Sequence, residues 1–104
     1  MKKEVLAKKL SGSPLYSKDG LGKKASILAR FYLPFTECEW LITEADEQPD
    51  GDWLMFGYCH ITEWEWGYVS LNELLDIEIR GLKIQMDMKL NPVSVGRYLS
   101  VTGR

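Results

Sequence analysis

The spacing of apolar and polar residues changes several times along this chain, and each change predicts an element. KKEVLAKK (residues 2–9) predicts a short basic helix, ended by Ser11-Gly12-Ser13-Pro14. LYSKDGLGKK (15–24) is rich in Gly, Lys and Ser and predicts a loop. ASILARFYLPF (25–35) is mostly apolar and fits a strand of about eight residues that leaves at Pro34. TECEWLITEADE (36–47) predicts a second strand. In QPDGDW, Pro49 presets φ and Asp50-Gly51 supplies the reversal, so WLMFGYCHI pairs back antiparallel. From 64 to 68 the period is two, with Trp64, Trp66 and Tyr68 on one side and Glu65 and Gly67 on the other. Helical spacing then takes over. Ser70-Leu71-Asn72-Glu73 reads as a capping box with Ser70 as N-cap, and Leu71, Leu74 and Leu75 form one stripe. IEIRGLKIQMDMKL (77–90) predicts a strand or a hairpin turning at Arg80-Gly81. Asn91-Pro92 suits the N-cap and first position of a last helix or turn.

These elements predict an α+β domain: a mainly antiparallel sheet with short helices near the N-terminus, at 71–76 and near the C-terminus. A chain of 104 residues is one domain's worth, and no repeat or linker divides it. Residues 1–24 read as basic helix and loop, 25–90 as sheet core, and 91–104 as C-terminal helix or tail.

Four Trp, five Tyr and three Phe are generous for this length and allow a small core to bury much area. No apolar run approaches the roughly 18 residues of a membrane-spanning helix, and no apolar stretch follows the basic start as in a signal peptide. The expectation is a cytoplasmic protein with no membrane partner. Cys38 and Cys59 lack a CxxC or second cluster, so they are expected as thiols filling space. His60 is the only histidine, and the dense Cys/His spacing of zinc sites is missing, so no metal or cofactor is expected.

Net charge is only −2, yet its layout is uneven. Residues 1–30 carry eight Lys/Arg against Glu4 and Asp19, whereas residues 31–79 carry twelve acids and no Lys or Arg. Residues 80–104 are basic again, with five cations against Asp87. Two arrangements follow from this: basic ends folded over the acidic middle, or an acidic face left open to steer a basic partner. Nucleic acid held by the central sheet is disfavoured, because phosphates need Lys and Arg.

His60, Glu63 and Glu65 are the residues that could form an active site. On a strand His60 and Glu63 point to opposite faces, while Glu63 and Glu65 share one at about 6.6–7 Å, as in any alternating strand. Nothing in the sequence raises the pKa of one carboxylate or builds a cleft around the pair, so no catalytic residue is assigned. The Trp/Tyr face is expected to be core rather than a stacking platform.

PLYS (14–17), RFYLPFTECEWLITEAD (30–46), FGYCH (56–60), EWGYVSLNEL (65–74) and GLKIQMDMKLNP (81–92) follow one another as in domain-of-unknown-function family 2958, which the chain resembles over nearly its whole length. The most distinctive piece is E-x-G-Y-x-S-L-x-E-L, matched by Glu65, Gly67, Tyr68, Ser70, Leu71, Glu73 and Leu74. Where similar proteins tend to read I-E-R-D, this chain has Ile84, Gln85, Met86 and Asp87. The resemblance brings no activity but implies a setting: small bacterial proteins of plasmids and other mobile elements, some of which bind host or phage proteins. The function expected is therefore a non-enzymatic protein-binding module. It would be anti-CRISPR-like, presenting acids to a basic partner such as a CRISPR effector nuclease or another host or phage nucleic-acid-binding protein. The residues expected at that contact are Glu44, Asp46, Glu47, Asp50, Asp52, Glu63, Glu65 and Trp64, with Trp53 and Trp66 as further anchors. The alternative is a nucleic-acid accessory protein of plasmid transfer or replication, using Lys2, Lys3, Lys8, Lys9, Lys18, Lys23 and Lys24.

Overall fold

A computed structural model describes residues 3–104, without the side chain of Lys3. The elements run in the order α1 (Lys3–Leu10), a 3₁₀ turn (Gly22–Lys24), β1 (Ala29–Tyr32), β2 (Glu39–Glu47), β3 (Trp53–His60), β4 (Trp64–Ser70), α2 (Leu71–Leu75), β5 (Glu78–Ile79), β6 (Leu82–Lys83), β7 (Gln85–Met86) and α3 (Val95–Thr102). The main sheet is antiparallel, in the order β4-β3-β2-β1-β7, and β5-β6 is a separate hairpin that turns at Arg80-Gly81 as expected. The protein is thus of the α+β class.

Register divides the side chains between two faces. On one lie Phe31, Trp40, Ile42, Met55 and Val69, covered by Leu6 and Leu10 of α1 and by Leu71 and Leu74 of α2. This is the main core. The two α1 leucines stand four apart, one helical turn, and are fully buried; each such burial contributes about 1.5–3 kcal/mol. On the other face Leu41 packs with Ile27, Val95 and Leu99, so α3 covers that side in part. Trp64, Trp66 and Tyr68 belong to this second face. The expectation that they form the core holds only in part: Trp64 and Trp66 are half-buried against this second, smaller cluster, whereas the main core occupies the opposite face and Tyr68 is exposed.

One residue of β2 does not fit the ladder. Ile42 pairs with Gly57 and Glu44 with Phe56, which leaves Thr43 as a bulge. A bulge moves every following side chain to the other face. Ala45 thereby enters the main core, and Glu44, which regular alternation would aim into it, turns to the α3 face. Beside the bulge, a Cβ on Gly57 would lie 2.1 Å from the Leu41 carbonyl oxygen, so only glycine fits that crossing.

Two boundaries differ from expectation. The first strand spans four residues instead of about eight. Residues 25–28 pair elsewhere: Ile27 donates to the Val93 carbonyl, Val95 to that of Ala25, and Leu28 to that of Ile42. That same pairing holds Val93 and Ser94 against residues 25–27, so α3 starts at Val95 with the extended Ser94, not Asn91, as N-cap; Ser94 Oγ accepts the Arg97 N–H at 3.2 Å. The Ser70 cap forms as expected, accepting the Glu73 N–H. Cys38 and Cys59 are free thiols packed against the main core. Among the described residues no helix is long and apolar enough to cross a membrane.

Candidate functional site

The acids expected at a partner contact are not gathered on one surface. Asp46, Glu47, Asp50 and Asp52 lie at the β2–β3 turn, whereas Glu63 and Glu65 lie at the opposite end of β3, an eight-residue strand of roughly 25 Å. Glu47, Asp50, Glu63 and Glu65 are exposed, and Asp46 is half-buried.

Two of the turn acids belong to the fold. Glu44 is only 5 % exposed, and its two oxygens accept the backbone N–H groups of Tyr16 and Lys18, each at 2.9 Å. It thereby docks the 14–18 loop onto the sheet, and its placement among contact acids is corrected. The grip matters because Tyr16 sits at φ 70°, a left-handed conformation costing a non-glycine roughly 1–2 kcal/mol. Lys18 adds a second tie through Nζ to the Ser26 and Thr43 carbonyls; burial lowers its pKa, against the pull of Glu44. Asp52 accepts the Ser70 hydroxyl and the Asn72 N–H, joining the turn to the first residues of α2.

Among the ring anchors, Trp53 is buried in the main core and cannot reach a partner. Trp64 stacks on Tyr58, with centroids 5.0 Å apart and planes 13° apart, beneath the Arg104 guanidinium at 5.3 Å. Trp66 stacks on Phe56 at 5.6 Å. Beyond it, Tyr16, Phe56, Trp66, Tyr68 and Lys18 line a cleft of about 370 Å³ between the sheet and the 14–24 loop. The lysines of the alternative reading are dispersed. Lys8 and Lys9 ride on α1, over the main-core face, and Lys18, Lys23 and Lys24 lie with the loop on the other. Lys2 and the side chain of Lys3 lie outside the described residues.

A buried ionic cluster was missed by sequence reasoning. Glu39, 1 % exposed, accepts from Arg30 Nε at 2.7 Å and Tyr98 Oη at 2.8 Å through Oε2. Its Oε1 meets Arg104 Nη1 at 2.8 Å, as an ion contact without the alignment of a hydrogen bond. Arg30 also pairs with Asp87 at 3.2 Å and stacks over Tyr32. Burial opposes the charge on Arg30, but Glu39, Tyr98 and Asp87 together outweigh it and the pKa is raised; burial, then the bond to Glu39, pushes the Tyr98 hydroxyl up to about 12. Arg104 reaches Glu39 because Gly103 ends α3 in the left-handed region and turns the chain back. The sequence carried no signal for this, since its members are up to 74 positions apart.

His60, Glu63 and Glu65 do not converge. His60 shares the face of Trp64 and its Nδ1 stands 3.1 Å from the Glu37 carbonyl, whereas Glu65 lies beside Cys59 on the other face. Burial pushes the Cys59 thiol up to about 12, which keeps it a neutral, weak nucleophile. Among the described residues no three His, Cys, Asp or Glu side chains are grouped to hold a metal ion. Sequence reasoning also overlooked Phe35, 96 % exposed at the tip of the β1–β2 turn, and Ile61 in the neighbouring β3–β4 turn.

Residues 5–102 match the model of a family described as Protein of unknown function (DUF2958). The chain belongs to that family. The DUF2958 match spans both faces of the sheet and all three helices, in agreement with the motifs that suggested it. No curated protein and no solved structure matches the chain.

Proposed function

We propose that this DUF2958 protein is a non-enzymatic binding module that presents carboxylates to a basic protein partner. One observation carries the reading: the described residues of the basic ends leave most of the acidic middle uncovered. Between described residues, ion pairs reach only Glu39 and Asp87. Glu37, Glu47, Asp50, Glu63, Glu65, Glu73, Asp76 and Glu78 are all exposed. Such a field speeds encounter with a cationic surface. The partner class that fits is a nucleic-acid-binding protein whose channel is lined by Arg and Lys, a CRISPR effector nuclease included. The setting would then be anti-defence on a mobile element. The scattered positions of His60, Glu63 and Glu65 support binding over chemistry.

The test is quantitative. A partner captured from host extract is purified and its Kd measured at about 0.1 M and about 0.5 M salt, for the wild type and for Glu47→Gln/Asp50→Asn/Glu63→Gln/Glu65→Gln. Expected are a strong salt dependence and at least a tenfold loss in the variant. Equal affinity at both salts, or an unweakened variant, refutes the reading.

A second reading, contact with single-stranded nucleic acid, has one observation in its favour: Lys23 lies 5.2 Å over Tyr58, and Lys18 borders the cleft of Phe56, Trp66 and Tyr68. Tryptophan fluorescence titration with an oligonucleotide at low salt decides it.

A further inference from the structure

Beyond a charged surface, the structure offers a backbone to bind. β4 is the edge of the main sheet; its inner side pairs with β3 from Leu54↔Ser70 to His60↔Trp64 without a register shift. No other described backbone pairs with its outer side. An edge strand of this length normally carries a guard against pairing, such as proline, lysine or a bulge. β4, WEWGYVS, has none of the three.

Next to this edge, on the side of Glu65, lies a hollow of about 360 Å³. Trp40, Cys59 and Val69 give it apolar walls, and Glu63 and Glu65 border it with exposed carboxylates. It is open because Gly67 has no side chain: a Cβ there would meet nothing within 4 Å. The opposite side of the same strand presents Trp66 and the exposed Tyr68. An unpaired strand flanked by a pocket for alternate side chains is the geometry of strand addition, where main-chain bonds supply affinity and the pocket selects sequence. Charge selects the occupant. A second copy of β4 would bring its own Glu63 and Glu65 against these two. A Lys or Arg side chain would lay its apolar stem on Val69 and Cys59 and its cation beside the carboxylates.

We propose that β4 binds an extended segment of a partner protein as a sixth strand, with Lys or Arg at alternate positions entering the hollow beside Gly67. This rests on the reading of the protein as a module for basic partners, and it specifies the contact. The probe is acetyl-(Lys-Val)₄-amide, which places lysines on the Glu65 side and valines against Trp66 and Tyr68. The control is the same peptide N-methylated at every residue, which keeps the charge but cannot pair. Expected are at least tenfold weaker binding of the control, slowed amide exchange at alternate residues of 64–70, and at least fivefold weaker binding by Gly67→Leu. Gly67 can accept a side chain without a left-handed strain, and Glu65→Lys provides a second variant with the same expected loss. Binding of the N-methylated peptide within twofold of the parent overturns strand addition and leaves charge-steered binding standing. No binding of the parent peptide overturns strand addition as well, while the salt series on a purified partner continues to judge the broader reading separately.

Discussion

Replacing Glu44 by Ala probes the docking of the 14–18 loop. The wild-type carboxylate accepts two backbone N–H groups at 2.9 Å while 5 % exposed, and hydrogen bonds to a charged group contribute about 1.5–3 kcal/mol each. The full loss would be roughly 3–6 kcal/mol if both donors stayed buried. They need not stay buried: Tyr16 is exposed, and a released loop can hydrate both groups and relax its left-handed residue. Lys18 Nζ and the Ser13 hydroxyl, both bonded to the Thr43 carbonyl, still hold part of the loop. The expected net loss is therefore about 2–3 kcal/mol, read by urea unfolding. Native-state exchange supplies the local test, because the Tyr16 and Lys18 amides should lose protection before the β2–β3 ladder does. Glu47→Gln, in the same stretch but exposed, serves as control and should stay within about 0.5 kcal/mol of wild type. If Glu44→Ala is as stable as Glu47→Gln, the loop is not held by this carboxylate and the reasoning is wrong.

Gly57→Ala should lower stability by about 3 kcal/mol or prevent folding, since the added methyl must displace the Leu41 carbonyl at the bulge; an unchanged urea midpoint would exclude so close a crossing. At high pH, Tyr98 should ionise near 12, above the ordinary tyrosine value of about 10. Its folded pKa is raised, so the stability it contributes is complete below about pH 10 and is lost as pH climbs toward 12. Ultraviolet titration of wild type and Tyr98→Phe should show the late phase only in the former, and its persistence in the variant would assign it elsewhere.

Local chemistry determined much of this protein from sequence alone. The Asp50-Gly51 reversal, the Arg80-Gly81 hairpin, the Ser70 cap and the period-two run at 64–68 each depend on residues within a few positions of one another, and all formed. The family match follows from the same short motifs. The charge layout was also legible, and with it the question of whether the acidic middle lies open. Only tertiary structure could answer that question, because the answer depends on which cations come within reach. Arg104 and Arg30 reach Glu39 across the fold, and the other described cations leave most of the middle uncovered. Nor could the chain's alternation show which face of the sheet is the core. That depends on where α1, α2 and α3 settle, and they placed the tryptophans of β4 away from the main core. Glu44 gives the physical reason in miniature. In sequence it is one of several acids near a turn, but a single bulge at Thr43 turns it onto a loop 26 to 28 residues earlier in the chain, where its charge holds backbone and is no longer available to a partner.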